Sequence, residues 1–221
     1  NLFSQEKSYW MCYNFSVEKE SDATELVEAI DMLMNADEMA LNPFTVFLFE
    51  IAFASSDANF RHQLCFLAPN ADYLKDWGSG VGEFAESLLV NKIFESVATP
   101  VSSVLASPLI FDPSKASYEY SNVWSVKVND VPKFAALAAA FIEANSDTFD
   151  GTIELHEAIS GAEKGVTHYM VARSNNLGDW LRGRESVFSN PKSQPWFNNS
   201  NKYSEFIESF AGKTIKVYIP E

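Results

Sequence analysis

Phe44-Thr-Val-Phe-Leu-Phe-Glu-Ile-Ala-Phe53 is the stretch whose side-chain alternation decides the fold. In a strand, successive side chains face opposite ways. One face of this segment carries Phe44, Val46, Leu48 and Ala52, and the other carries Phe47, Phe49, Ile51 and Phe53. Both faces are apolar, so the strand must be covered on both sides. The polar turn Ser55-Ser56-Asp57 and the apolar run Phe60 to Ala68 follow, which predicts a hairpin. Upstream, Tyr9 to Phe15 reads as a strand. Ser21 is placed to cap a helix running to Asn35, with Leu26, Ala29, Ile30 and Leu33 at helical spacing. Downstream, a helical region spans Asp72 to Val97 and is broken by Gly78, Gly80 and Gly82. A last strand begins at Val101 to Leu105 and runs on past Pro108.

The order strand, helix, strand, strand, helix, strand then recurs. Val123 to Val128 is a strand and Val131 to Ala144 a helix. Thr152 to Ile159 and Val166 to Arg173 form a hairpin around Ser160-Gly-Ala-Glu-Lys-Gly165. Helical pieces flank an irregular stretch, Ser189 to Ser200, and Thr214 to Ile219 is the final strand. Landmarks recur in the same order: Trp10 and Trp124, Glu50 and Glu157, His62 and His168, Asp76-Trp77-x-x-Gly80 and Asp179-Trp180-x-x-Gly183, Asn91-Lys92 and Asn201-Lys202. Internal recurrence of this kind is the mark of one unit built twice. It predicts a first repeat over residues 1–111, a linker over 112–121 and a second repeat over 122–221.

Each βαββαβ half has the order of a ferredoxin-like unit. Helices can cover one face of each sheet, and the second copy's sheet is the natural cover for the other. Two such units in tandem, packed sheet to sheet as an intramolecular α+β barrel, resemble the dimeric α+β barrel superfamily as a single-chain pseudo-dimer. That superfamily includes antibiotic-biosynthesis monooxygenase-like, stress-response and chlorite dismutase-like branches. The resemblance implies a small-molecule pocket between sheet and helices. It also implies cofactor-independent oxygenation, isomerisation or another proton-transfer-led reaction if the chain is an enzyme. Haem, with His62 or His168 as axial ligand, enters only through the superfamily.

Composition narrows the partners. The 221 residues carry 16 basic and 30 acidic side chains, a formal charge of −14. Such a surface repels phosphate backbones and anionic lipids, which argues against nucleic acid and membrane as partners. No apolar run approaches the roughly 20 residues that span a bilayer. The expected partner is a small-molecule ligand, with the chain a monomer or homodimer. Asn1 stands where an initiator Met would, which is expected of a trimmed chain or one exported after removal of a leader. Cys12 and Cys65 align with Val126 and Val171 of the other half, so they read as two small buried hydrophobes in preference to a disulfide.

The chemistry-bearing feature is a repeated Glu–His pair. Glu157 and His168 are equidistant from a turn centred between Ala162 and Glu163, and Glu50 and His62 are equidistant from Ser56. Residues so related sit directly opposite in an antiparallel hairpin. Their faces carry Ile153, Leu155, Val166 and Met170 in one half, and Val46, Leu48, Leu64 and Phe66 in the other. A carboxylate beside an imidazole on an apolar face raises the histidine pKa and fixes its tautomer. His168 is then a candidate base with Glu157 as its orienting partner, and His62 with Glu50 a second or degenerate site. The competing reading is a pair that only fixes hairpin register in a non-catalytic structural or interaction module.

Two ligands fall short of a metal site, so no metal and no cofactor are called for. His156 adjoins Glu157 and must face the other way, and its counterpart is Phe49. Asp76 and Asp179 read as helix caps, with Trp77 and Trp180 packed against the sheet; the superfamily resemblance implies the alternative, that both indoles stand on the wall between helix and sheet where a ligand is held. Gly78 to Gly82 lacks the Lys-Ser/Thr of a phosphate loop. Trp196, in the Ser189–Ser200 stretch, is a candidate lid or plug over a pocket. Arg173, with Arg182 and Arg184 nearby in sequence, is a candidate anchor for an anionic ligand.

Overall fold

The computed structural model describes residues 7–17, 19–35, 43–55, 58–75, 97–163 and 165–220, with the side chains of Glu20 and Ser21 left aside. Eight strands form one closed antiparallel barrel: β1 (Tyr9–Ser16), β2 (Thr45–Ala54), β3 (His62–Ala68), β4 (Thr99–Ile110), β5 (Tyr120–Val128), β6 (Thr152–Ser160), β7 (His168–Ser174) and β8 (Ser204–Tyr218). The order around the barrel is β1-β3-β2-β8-β5-β7-β6-β4. Among the described residues the α-helices are α1 (Glu20–Met34), α2 (Val131–Asn145), α3 (Leu177–Ser189) and α4 (Gln194–Tyr203).

Strand order within the first half is β4-β1-β3-β2, and within the second β8-β5-β7-β6. The two arcs are hydrogen-bonded to each other at β2–β8 and β4–β6. β4 and β8, of 12 and 15 residues, are long enough to ladder with their own arc and with the other. Closure leaves no open sheet edge. In place of the expected two sheets packed face to face, the strands form one continuous wall around a lumen.

The double apolar face of β2 is explained by that wall. Val46 and Leu48 join Leu26, Ile30 and Leu33 of α1 in an outer core, while Phe47, Phe49 and Ile51 face the lumen with Trp10 and Cys65. In the second half, Phe134 and Ala138 of α2 cover Val126, Leu155 and Met170.

Several local expectations are corrected. Cys12 and Cys65 are direct register partners of β1 and β3, 4.1 Å apart at Cα, and are joined as a disulfide. The pairing of Trp10 with Trp124 does not hold in space. Phe15 lies opposite His62 and Val126 opposite His168, which makes Tyr13 the counterpart of Trp124. Trp10 belongs to the lumen cluster and Trp124 packs under the helices. α1 starts one residue before Ser21, with Lys19 in the N-cap position. At α3 the cap is Asn176, whose side chain accepts from the Asp179 N–H, so Asp179 is a first-turn acid. The Ser189–Ser200 stretch is ordered: a 3-10 turn at Pro191–Ser193 leads into α4, with Pro195 in the first turn, where no N–H is needed. The last strand begins at Ser204, ten residues before Thr214. Asp76, Trp77, Gly78, Gly80, Gly82 and Asn91-Lys92 lie outside the described residues.

Candidate functional site

The barrel wall separates two cavities. Consecutive residues of β7 point to opposite sides of it: His168, Met170 and Ala172 toward the helices, Tyr169, Val171 and Arg173 into the lumen.

The helix-side cavity, about 380 Å³, lies between the second-half sheet and α2, α3 and α4. Its wall is aromatic: Trp124, Phe134, Phe141, Phe149, Trp180, Trp196 and Phe197, with Met170 and Ala172 as the floor. Trp196 stacks on Phe141 at 4.9 Å, and Phe197 on Phe188 at 4.8 Å. Non-aromatic polar residues are few in its lining: Arg184, Ser200, Asn201 and Ser204. Arg184 lies over the Phe188 ring at 4.6 Å. The roof is held by a buried amide network. Asn145 Nδ2 donates to Phe141 O and Ser193 Oγ, and Asn145 Oδ1 accepts from Asn190 Nδ2. This ties the end of α2 to the turn that launches α4. Gly183 of α3 has a positional reason too, since a Cβ there would come within 2.4 Å of the Phe149 ring.

The two Glu–His pairs are cross-strand neighbours, Glu50 opposite His62 and Glu157 opposite His168. Glu and His part company beyond Cβ. Glu50 turns outward to Lys213, 2.9 Å away, and Glu157 is exposed. Both imidazoles are sealed, His62 at 5% exposure and His168 at 3%. His168 Nδ1 lies 2.9 Å from Thr167 Oγ1, while His168 Nε2 and His62 Nδ1 are buried without a hydrogen-bond partner among the described residues. Burial lowers both histidine pKa values, and the facing Glu only partly opposes it. The expected rise is thus reversed, because desolvation of the ring outweighs a carboxylate that stays in water. Neither ring lines a cavity among the described residues; His168 lies behind Phe134, ring to ring at 6.3 Å.

Trp180 and Trp196 thus share the helix-side cavity, and Arg173 does not. It lies across the wall with His156, in a lumen cavity of about 360 Å³. Arg173 Nε donates to Glu154 Oε1 at 3.0 Å, and His156 Nε2 donates to Glu154 Oε2 at 2.9 Å. Glu154 is fully buried, His156 is 4% exposed and Arg173 6%. The guanidinium also lies over Trp10 at 5.6 Å and Phe49 at 5.9 Å. The period-two alternation that sends His156 away from Glu157 places Glu154 on the same strand, where only the tertiary structure shows its side chain meeting His156 and Arg173.

No family profile matches the chain, and no curated protein matches it in sequence. Solved structures do match. A provisionally named monooxygenase from Lactobacillus acidophilus NCFM superposes with a TM-score of 0.64 at 12% identity, covering 97% of each chain. An anthrone oxidase-like protein gives 0.61 at 7% identity, covering 98% of this chain and 94% of its own. A heme-binding protein from Thermus thermophilus gives 0.54 at 12%, covering 96% and 92%. Chlorite dismutases from Candidatus Nitrospira defluvii match on the same scale. At these identities the likeness is one of fold.

Proposed function

We propose that this chain, whose fold is that of the dimeric α+β barrel superfamily, binds a small apolar or aromatic molecule in its helix-side cavity. The observation that carries the reading is the cavity itself: about 380 Å³, walled by Trp124, Trp180, Trp196 and Phe141, with few polar residues in its lining. That is the size and lining of a small-molecule site. A flat ligand stacks against the indoles, and its polar end meets Arg184 and Asn201. Similar strand orders in the two arcs support descent of both halves from one βαββαβ unit, divided as 1–111 and 122–221 by 112–121. The test is titration with 1-naphthol, followed by tryptophan fluorescence. Quenching that saturates, and that Trp196→Ala weakens about tenfold, supports the reading; no saturable change refutes it.

The Glu–His pairs act, in this reading, as register-fixing residues, because both rings are sealed and neutral. One observation favours a catalytic role at His168: its Nε2 is unpartnered among the described residues, and its ring packs against that of Phe134, a cavity wall residue. A ligand that displaces Phe134 would meet a neutral base able to take a proton, with Glu157 across the strand pair to stabilise the imidazolium. Oxygenase- or isomerase-like turnover abolished by His168→Gln at unchanged ligand affinity supports that role.

Haem, which the heme-binding neighbour suggests, does not fit this cavity. It presents no imidazole, thiolate or phenolate among the described residues, and the three histidines are sealed or committed elsewhere.

A further inference from the structure

The lumen cavity is on the opposite side of the barrel wall from the site just proposed and contains chemistry that site does not use. Its inner end is built from Arg173, Glu154, His156 and Trp10. Both Glu154 oxygens are taken, one by Arg173 Nε and one by His156 Nε2. Among the described residues, the terminal amino groups of Arg173 make no hydrogen bond. The indole Nε1–H of Trp10, a residue 5% exposed, is buried with no hydrogen-bond partner among the described residues. Trp10 lines this cavity, and its ring lies against the Arg173 guanidinium. An unpaired buried donor is costly, so one beside a half-used guanidinium marks a place prepared for an acceptor. The walls between this end and the mouth are apolar, formed by Ile51, Phe60, Val123, Val171 and Phe210. At the mouth stand Glu163 and Glu208, and the Glu208 pKa is raised by burial and by the Glu163 charge.

We propose that the barrel lumen is a second binding site, for a small monocarboxylate with an apolar body. The carboxylate is held by the Arg173 guanidinium and the Trp10 indole N–H. Arg173 is fit for this because Glu154 fixes its plane through Nε, leaving the outer edge free for paired hydrogen bonds to a carboxylate. Trp10 and Phe49 flank the guanidinium and exclude water from the contact. The acids at the mouth set the polarity of the site. They oppose a second carboxylate at the tail, so a dicarboxylate is rejected, and they offer nothing to the head of the ligand once it is seated.

The experiment uses the full chain labelled with 15N-tryptophan, with its five indole N–H signals assigned by Trp→Phe variants. The probes are 4-phenylbutyrate, 4-phenylbutylamine and 1,4-phenylenediacetate. The proposal expects 4-phenylbutyrate to shift the Trp10 signal downfield and saturably, with the Trp180 and Trp196 signals unmoved. It expects at least about tenfold weaker binding of the amine and the diacid. Arg173→Gln should lose binding by a similar factor. Since that change strands Glu154, Val171→Phe is the companion variant: it fills the lumen from the wall across from Glu154, removes no member of the charged cluster and should abolish the Trp10 shift. A Trp10 signal that no probe moves overturns the proposal. So does preference for the amine, or an equal response in Val171→Phe. None of these outcomes bears on 1-naphthol in the helix-side cavity.

Discussion

Replacing Arg173 by Met leaves the Glu154 carboxylate fully buried with only His156 beside it. The pair lies 3.0 Å apart with both partners withdrawn from water, so its loss belongs to the class of broken buried ion pairs, costing about 3–5 kcal/mol. For a chain of this size each kcal/mol moves the melting temperature by about 2–4 °C, which gives a fall of roughly 6–20 °C. Glu154→Leu strands the guanidinium and should cost a comparable amount. The double variant Glu154→Leu with Arg173→Met removes both charges and places apolar groups against Trp10 and Phe49. It should recover most of the loss, leaving a coupling energy of at least about 2 kcal/mol. Urea unfolding of the four proteins, followed by far-ultraviolet circular dichroism, closes the cycle. The reasoning is refuted if Arg173→Met costs under about 1 kcal/mol, or if the double variant is as unstable as the sum of the singles. Either result would mean that water reaches Glu154 and that the lumen is not a low-dielectric space.

The Cys12–Cys65 bridge closes a loop with a sequence separation of 53, worth about 4 kcal/mol in chain-entropy terms. Reductant should lower the urea midpoint accordingly, and two titratable thiols in unreduced, denatured protein would contradict the bridge. Burial depresses the pKa of His62 and His168 below the ordinary 6.5. The unfolded chain therefore takes up protons that the folded rings refuse, so stability present above pH 6.5 falls as the pH is lowered through the depressed values. The His62→Gln, His168→Gln double variant should show a shallower decline between about pH 7 and 5, and a steeper one would refute the assignment. Asn145→Ala removes the amide that ties α2 to the turn before α4. It should cost about 1–3 kcal/mol and weaken 1-naphthol binding, and unchanged binding would show that the roof is set by packing alone.

Much of the architecture was legible because strand periodicity is strict. The two-sided apolarity of Phe44–Phe53 correctly required cover on both faces, and turn symmetry put Glu50 opposite His62 and Glu157 opposite His168. What the hairpin alone could not convey was the strand on the other side of β2: Glu50 lies opposite Lys213 in the β2–β8 ladder and pairs with it, a residue distant in sequence. Trp10 and Trp124 were matched by residue type across an insertion whose size is odd relative to the strand period, which moves a side chain to the other face. The disulfide was hidden because Cys12 was aligned three residues from its true counterpart, Val123, as the shared pairing to Cys65 and Val171 shows. Trp180 and Trp196 were singled out by bulk and position, and both line the helix-side cavity. Glu154 carries no local mark, and its role emerges only once β6 is known to face a lumen.

The account rests most heavily on the claim that the helix-side cavity is the ligand site, and Ala172→Phe tests it directly. Ala172 is 5% exposed on the cavity floor, next in sequence to the lumen-facing Val171. The measurement is the affinity for 1-naphthol in wild type, Ala172→Phe and Val171→Phe, with melting temperatures taken in parallel. The account predicts that Ala172→Phe abolishes 1-naphthol binding with its fold retained, while Val171→Phe binds as wild type does. Undiminished binding by folded Ala172→Phe would contradict it.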